Sequence, residues 1–421
     1  MAQNAISKSV NITVQQARAS SILLQEVPAA SINKALLEMA RMIKVNLAAL
    51  RVENAKDLSA AKKTGLSSAM IDRLTLSDKT VASMIDGLRT VAKLPSPIGG
   101  TFDRRTRPNG LNIYKVKVPI GVVCIIYESR PNVTVDAAAI CLKSNNAVIL
   151  RGGSESIHSN KALGALFKKA IVSAGIPTHA IQVIDTTDRA AVTELLQQDQ
   201  YIDCVIPRGG EDLIRAVVAQ SRIPVIKHYK GICHVYVSRN ADMSIALPII
   251  INAKVQRPGV CNAMETLLID SGLSQKNKLA IIEALHKNNV TLFGDAATRT
   301  LSRSIHRASE DDWKAEYLDL RLAVAQVNGV AAAVTHINTY GSRHTDAIIS
   351  TSKSEIKLFS TTVDSASIMI NTSTRFADGG EYGMGCEIGI STDKLHARGP
   401  MGIEDLTTYK WIVEGNGQIR T

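Results

Sequence analysis

Aromatic residues are scarce in this chain, at 4% of its 421 residues, whereas 45% of the residues are hydrophobic. Its interior must therefore be packed mainly by aliphatic side chains, and few rings are available to stack on nucleic-acid bases. The net charge of +11 suits either a nucleic acid or a small, multiply anionic ligand. Because the basic residues are spread along the chain without a block of five, the small anionic ligand is favoured.

Long hydrophobic runs are missing as well. No apolar stretch approaches the ~18 residues of a membrane span, and the N-terminus lacks the apolar region of an export signal. The six cysteines include no CxxC pair, and no His/Cys cluster has the spacing of metal ligands. We therefore expect a reduced, cytoplasmic protein of two or three domains, without a membrane segment and without a bound metal.

The usual nucleotide-binding fingerprints, GxGxxG and the Walker A sequence, are also absent. Two strand-like segments instead run directly into glycine pairs, in Arg151-Gly152-Gly153-Ser154 and in Arg208-Gly209-Gly210-Glu211. A glycine pair before a helix exposes backbone N–H groups and the positive helix end, which together bind phosphate. One such pair usually marks only a tight connection, but two pairs, each with an arginine, predict a dinucleotide site.

Helical and strand-like segments alternate along most of the chain. Residues from about 31 to 92 have helical spacing, and strands and helices then alternate from Pro119 onward in two successive series. Repeated βαβ units predict parallel sheets with helices on both faces, hence an α/β fold. The Asn109-Gly110 pair predicts a β-hairpin. This hairpin has little apolar surface to hold it alone, and the tail after Thr407 alternates apolar and polar residues like an added strand, so we expect the two to pair across a subunit interface.

The segment from Gln256 to Thr266 contains the strongest candidate for a catalytic residue. A helix from about Ala241 to Val255 should end at Arg257-Pro258-Gly259, and a strand should begin at Thr266. Cys261 would then lie on a tight turn, where nearby Arg257 and the turn amides favour a nucleophilic thiolate. A small buried hydrophobic residue is the alternative interpretation.

These features together resemble the γ-glutamyl phosphate reductases, a family within the aldehyde dehydrogenase superfamily. The resemblance covers nearly the whole chain, and its most specific part lies between Val327 and Ile348, around Thr335-His336-Ile337 and Ser342-Arg343-His344-Thr345-Asp346. It implies NADPH-dependent reduction of L-glutamyl 5-phosphate to L-glutamate 5-semialdehyde and phosphate, the second step of proline biosynthesis. The resemblance also implies a homodimer or dimer of dimers, with a glutamate kinase as the partner that supplies the labile substrate.

The resemblance also implies an aldehyde dehydrogenase-like fold and a set of site residues. Its domains would be a Rossmann-type NADPH-binding domain (1–102 and 119–233), a catalytic domain (234–404) and an oligomerisation hairpin and tail (103–118 and 405–421). Cys261 would be the nucleophile, with Ser129 or Asn132 in the oxyanion hole. The implied cofactor-binding residues are Arg151, Ser154, Gly209, Gly210 and Glu316. Candidates for binding the substrate are Arg257, Asn371 and Arg375, because arginine binds oxyanions in bidentate fashion.

One departure from the superfamily bears on the direction of the reaction. The glutamate that activates a hydrolytic water in the superfamily falls near Lys227-His228, and neither residue is a carboxylate. An acyl phosphate reductase must not hydrolyse its thioester, so the sequence favours reduction over oxidation. Two alternatives stay open: another acyl reductase of the superfamily, such as a CoA-acylating one, and a basic nucleic-acid-binding protein.

Overall fold

The computed structural model describes residues 2–420 and divides the chain into two compact units. The first comprises Met1–Lys227, Gly383–Gly389 and Met401–Thr421, and the second His228–Tyr382 and Ile390–Pro400. Among the described helices, none is both long enough and apolar enough to cross a membrane.

The first unit begins with a group of helices. Their bounds are α1 Ala2–Leu24, α2 Ala29–Val45, α3 Leu47–Lys63, α4 Ser68–Leu74 and α5 Asp78–Lys93. In α5 the buried residues recur at helical spacing, from Val81 and Met84 to Leu88 and Val91, and Ser77 caps its N-terminus by accepting a hydrogen bond from the Thr80 N–H at 3.2 Å. The helical region predicted from residue 31 to 92 is confirmed, but the long helix α1 was not predicted.

A parallel four-stranded sheet forms the rest of this unit's core. Its strands are β3 Val122–Tyr127, β4 Ala147–Arg151, β5 Ile181–Val183 and β6 Cys204–Arg208, in the order β5-β4-β3-β6. The connecting helices are α6 Pro131–Lys143, α7 Ile157–Ser173, α8 Ala190–Leu196 and α9 Glu211–Gln220. Strands β3 and β4 are buried along their whole length, which explains their continuous apolar sequence. This arrangement confirms the predicted βαβ series.

The hairpin and the tail build a separate antiparallel sheet. Strand β1 (Thr101–Thr106) pairs with β2 (Asn112–Pro119), and β2 pairs along its whole length with β16 (Thr407–Glu414). The predicted pairing of hairpin and tail is therefore confirmed, but the prediction that it crosses a subunit interface is wrong. All three strands belong to the same chain. Strand β16 adds the third strand that stabilises the hairpin, since two strands alone are marginal in water.

The second unit is built on a seven-stranded parallel sheet with the order β10-β9-β11-β8-β7-β12-β13. Its strands are β7 Cys233–Val237, β8 Met264–Asp270, β9 Thr291–Gly294, β10 His306–Arg307, β11 Arg321–Val327, β12 Thr345–Ile349 and β13 Ser367–Ile370. Helices α10 Met243–Val255, α11 Gln275–Lys287, α12 Ala296–Arg299, α13 Gly329–Tyr340 and α14 Lys353–Thr362 connect them. Two short strands, β14 Gly389–Ser391 and β15 Gly399–Met401, form a sheet of their own.

Candidate active site

Cys261 lies on the turn between α10 and β8, as the sequence predicts. Helix α10 ends at Val255 and strand β8 begins at Met264, so the cysteine is at the amino end of a central, wholly buried strand. A buried hydrogen bond stabilises this turn: the Asn262 side-chain amide donates to the Ala377 carbonyl at 2.9 Å. The fold thus places the Cys261 side chain, which is half-buried, on a rigid support.

The other cysteines are poorer nucleophiles. Cys124, Cys141, Cys204 and Cys233 are buried, and burial raises the pKa of each thiol, to about 12 for Cys124 and Cys204. A thiol with a raised pKa carries almost no thiolate at neutral pH. Of the six cysteines, only Cys261 and Cys386 are half-buried. Burial therefore reduces the candidates for a reactive thiol to these two.

Gly231 packs directly against the backbone of Cys261. A Cβ atom on Gly231 would lie 1.9 Å from the Cys261 carbonyl oxygen, so only glycine fits at this position. The Gly231 N–H donates to Glu316 Oε1 at 2.9 Å, and the Cys233 thiol donates to the Cys261 carbonyl at 3.2 Å. Glu316, the residue implied to hold the nicotinamide ribose, is therefore brought next to the cysteine turn. Its contact with a ribose stays a prediction.

Two histidines lie beside the Cys261 sulfur. One nitrogen of His228, one nitrogen of His344 and Cys261 Sγ all lie within 4.8 Å of one another. The two imidazole rings meet edge to face, with centroids 5.7 Å apart. The sequence carried a signal for both, since His228 stands near the superfamily's glutamate and His344 belongs to the family-like segment. Their proximity to Cys261 was nevertheless missed, because the three residues are far apart in the chain.

A pair of arginines adds positive charge to this unit. Arg375 donates through Nε to Gln256 Oε1 at 2.8 Å, which ties it to the residue that follows α10. Burial lowers the pKa of Arg375, and the nearby Arg257 guanidinium lowers it further. The positive charges of the two guanidinium groups together favour an anionic ligand in this unit. Asn371, by contrast, uses its amide to bind the Ser350 backbone at 2.9 and 3.0 Å, which is a structural role; its contact with substrate stays a prediction.

A buried ion pair supports the loop that carries Glu316. Lys254 Nζ lies 2.6 Å from Glu265 Oε2, and both side chains are completely buried. The other oxygen of Glu265 accepts a hydrogen bond from the Leu318 N–H at 3.2 Å, where the backbone has a positive φ of 53°. Burial raises the pKa of Glu265 and lowers that of Lys254. The pair thus joins α10, β8 and the Glu316 loop around the cysteine turn.

In the first unit, the predicted cofactor residue Arg151 ends strand β4. Its Nη1 and Nη2 donate to the carbonyls of Gly152 and Thr187 at 3.1 and 3.2 Å, and burial lowers the pKa of Arg151. Its Nε is buried and has no hydrogen-bond partner within the described residues. An unsatisfied buried donor is costly unless a ligand meets it.

Ser154 and Ser129 are connected through a carboxylate that the sequence reasoning missed. Glu155 accepts hydrogen bonds from the Ser129 N–H at 2.7 Å, from the Ser129 hydroxyl and, at 3.3 Å, from the exposed Ser154 hydroxyl. Ser129 has a positive φ of 33°, which is strained for a residue with a side chain. Its hydroxyl is therefore engaged by Glu155, and its role in an oxyanion hole stays a prediction.

The glycine pair at residues 209 and 210 is also occupied by a carboxylate. The Gly210 N–H, which precedes helix α9, donates to Glu128 Oε2 at 2.9 Å. A Cβ atom on Gly209 would lie 2.5 Å from the same oxygen, so the loop closes tightly around it. The Glu128 carboxylate therefore fills this loop, and a cofactor phosphate would have to displace it, so the role of Gly209 and Gly210 in cofactor binding stays a prediction. Glu128 had not been singled out in the sequence, although it lies just after strand β3.

Asn132, the second oxyanion candidate, donates through Nδ2 to Asp136 Oδ2 at 3.1 Å on helix α6. Burial raises the pKa of Asp136 to about 6, although Asn132 and nearby Arg208 lower it. Since the folded state holds this proton more tightly than the unfolded state, the contribution of Asp136 to stability falls as pH rises from ~4 to about 6.

We therefore expect Asp136→Asn to stabilise the protein at pH 7, by at most about 3 kcal/mol. Thermal unfolding of both proteins between pH 4 and 8 measures the effect. The gain should shrink towards pH 4, where Asp136 is already neutral. Asp199→Asn, at an exposed position, provides the control. A difference between Asp136→Asn and the parent that did not change with pH would contradict this account.

Comparison with known proteins agrees with this architecture. The profile described as aldehyde dehydrogenase family matches residues 2–302. The chain belongs to the aldehyde dehydrogenase family. It is therefore an oxidoreductase, and the fold class expected from the sequence is confirmed.

The chain is also similar to γ-glutamyl phosphate reductases, a branch of the aldehyde dehydrogenase family. The chain is 53% identical to a γ-glutamyl phosphate reductase of Desulfatibacillum aliphaticivorans, over 92% of this chain and 93% of the relative. It is 50% identical to one of Geotalea daltonii, over 99% of both chains. The crystal structure of γ-glutamyl phosphate reductase from Thermotoga maritima matches with a TM-score of 0.96 at 40% identity, covering 98% of this chain and 100% of that one. The resemblance predicted from the sequence is thereby confirmed.

Proposed function

We propose that this chain reduces L-glutamyl 5-phosphate to L-glutamate 5-semialdehyde and phosphate, with NADPH as the hydride donor. The observation that carries the proposal is a half-buried Cys261 thiol on a rigid turn, with two imidazoles and two arginines in the same unit. Identity of 50–53% to γ-glutamyl phosphate reductases over 92–99% of the chain supports the same substrate.

The reaction begins with attack of Cys261 Sγ on the acyl carbon of the substrate. The carbon–sulfur bond forms as the bond to phosphate breaks, and the thiol proton passes to one of the neighbouring imidazoles. Arg257 and Arg375 hold anionic groups of the substrate and thereby fix its acyl carbon near the sulfur. The Cys261 N–H, with Ser129 or Asn132, would stabilise the oxyanion that develops on the carbonyl.

NADPH, when bound, supplies the hydride that reduces the thioester carbonyl. Arg151 fits such a cofactor, since its buried Nε lacks a partner among the described residues, whereas a phosphate at the Gly209-Gly210 loop would have to displace the Glu128 carboxylate. Glu316 would hold the nicotinamide ribose. After reduction the carbon–sulfur bond breaks, the aldehyde leaves, and Cys261 is restored.

The absence of a carboxylate at the superfamily's hydrolytic position supports reduction. His228 stands near this position and lies beside Cys261. Its side chain can hold a proton for the thiol, but it provides no carboxylate to recruit water to the thioester. The activated acyl group is thereby kept for reduction.

The experiment that tests the function is the reverse reaction. Purified protein supplied with glutamate 5-semialdehyde, phosphate and NADP⁺ should produce NADPH only when phosphate is present. A CoA-acylating enzyme would instead require CoA, and a nucleic-acid-binding protein would show neither activity. Turnover that depends on CoA and not on phosphate would refute the proposed substrate.

Arg151 should contribute to the preference for NADPH over NADH. A charge-assisted hydrogen bond to the 2′-phosphate is worth roughly 1.5–3 kcal/mol, or about 10- to 150-fold in the ratio of kcat/KM values. We expect Arg151→Ala to lower the NADPH-to-NADH ratio by about this factor, as steady-state kinetics with both cofactors would measure. If the ratio is unchanged, Arg151 does not read the 2′-phosphate, and Arg189→Ala tests the neighbouring cation.

We further propose that the chain forms a homodimer or a dimer of dimers through its three-stranded sheet. Strand β16 carries three large side chains that are about half exposed, Tyr409, Trp411 and Val413. Apolar surface of this kind at a sheet is typical of an interface. A complex with the glutamate kinase that supplies the substrate would protect the labile acyl phosphate from water.

A further inference from the structure

The Cys261 sulfur and the two imidazoles beside it could bind a metal ion as well as carry out a reaction. We propose that Cys261, His228 and His344 form a site for a thiophilic divalent cation of the zinc type, and that occupation of this site inhibits the enzyme. The inhibition, though not the binding, rests on the proposed function. Spacing along the sequence gave no hint of such a site, because the fold alone brings the three residues together.

The donor set has the composition of a zinc site. One thiolate and two imidazoles are borderline-soft ligands, and Zn²⁺ binds them at about 2.3 Å and about 2.0–2.1 Å, respectively. A tetrahedral ion then needs sulfur and nitrogen about 3.6 Å apart. The three donor atoms lie within 4.8 Å of one another. Small side-chain rotations that move these atoms by about 1 Å would bring them to the separation that a tetrahedral ion requires. A fourth position would stay open to water or to a substrate oxygen.

The surroundings of His344 favour coordination as well. Its Nδ1 lies 2.9 Å from Thr345 Oγ1 and 3.6 Å from Cys233 Sγ, and these contacts orient the buried ring so that Nε2 would be the nitrogen that binds the ion. Histidine ligands usually use one nitrogen for the metal and the other for such a supporting hydrogen bond. Cys261 and His228 are only half-buried, which gives an ion access from solvent.

Metal binding and catalysis would compete for the same sulfur. The ion displaces the thiol proton, which goes to solvent, and forms a metal–sulfur bond with the lone pair that otherwise attacks the acyl carbon. The imidazoles also lose the nitrogen lone pairs that would accept the thiol proton. Zinc should therefore inhibit reversibly and in competition with the acyl substrate, and a chelator should restore activity.

Direct binding tests the site independently of activity. Equilibrium dialysis of the metal-free protein against Zn²⁺ should give one ion per chain. Co²⁺ should produce the near-ultraviolet charge-transfer band of a cobalt–thiolate bond. Both signals should disappear in Cys261→Ala. His228→Gln should weaken binding by roughly tenfold or more.

His286→Gln is the matched control, since His286 is also a half-buried histidine of the second unit and pairs with Ser304 instead. It should bind Zn²⁺ like the parent. Unchanged stoichiometry in Cys261→Ala, or equal affinity in His228→Gln and His286→Gln, would overturn the proposed site. Zinc binding without inhibition of the reverse reaction would overturn the proposed competition. A protein that binds Zn²⁺ through Cys261 but lacks reductase activity would refute the proposed function and leave the site intact.

Discussion

Replacing Cys261 by alanine should lower reductase activity by roughly 10⁴-fold or more, because the covalent thioester cannot form. Cys261→Ser should retain almost nothing, since an alkoxide is far harder to generate than a thiolate at neutral pH. Binding of NADPH should persist, because four of the five predicted cofactor residues, Arg151, Ser154, Gly209 and Gly210, belong to the other compact unit, and the fifth, Glu316, is left unchanged by the substitution. Steady-state assay of the reverse reaction and fluorescence titration with NADPH separate these two effects.

The matched control is Cys386→Ala, because Cys386 is the other half-buried cysteine. It should keep activity within a few-fold of the parent, and its rate of inactivation by iodoacetamide should resemble that of the parent. If Cys386→Ala were inactive while Cys261→Ala turned over normally, the nucleophile would be wrongly assigned. Loss of NADPH binding in Cys261→Ala would point to misfolding and not to lost chemistry.

Local sequence signals were sufficient to predict much of this fold. Fully buried strands such as β3 and β4 are recognisable as apolar runs, and the Asn109-Gly110 turn predicts the hairpin. Helix α1 was missed, because its polar residues are mixed with apolar ones and its stability comes from tertiary contacts, including an Arg18–Asp203 ion pair at 2.9 Å.

The position of Cys261 in the fold could be predicted, because it depends on one short segment. The helix end, the Pro-Gly pair and the following strand together place Cys261 on its turn. Prediction failed where distant segments converge, as with His228 and His344, or where a carboxylate folds back onto a glycine loop, as with Glu128. Contacts of this kind depend on strand order, which periodicity does not reveal.

Removing strand β16 should disrupt the assembly of the protein into an oligomer. Truncation after Leu406 deletes every partner of β2 along that edge and leaves an isolated hairpin, which is marginal in water. It also removes Tyr409, which packs edge to face against Phe102, and Trp411. The Lys115 ammonium lies 4.3 Å from the Tyr409 ring centroid and 4.7 Å from the Trp411 ring centroid. Leu406 itself is kept, because its carbonyl accepts a hydrogen bond from Asn146 at 2.8 Å.

If the three-stranded sheet mediates assembly, the truncated protein should sediment as a monomer and lose most of its activity. A truncation after Glu414 is the matched control, since it keeps all of β16 and should preserve both the oligomer and the activity. Sedimentation velocity at several protein concentrations distinguishes dissociation from unfolding, which circular dichroism would detect. An oligomer of unchanged size after truncation at Leu406 would exclude β16 as the interface, because no atom of that strand would be left to form it.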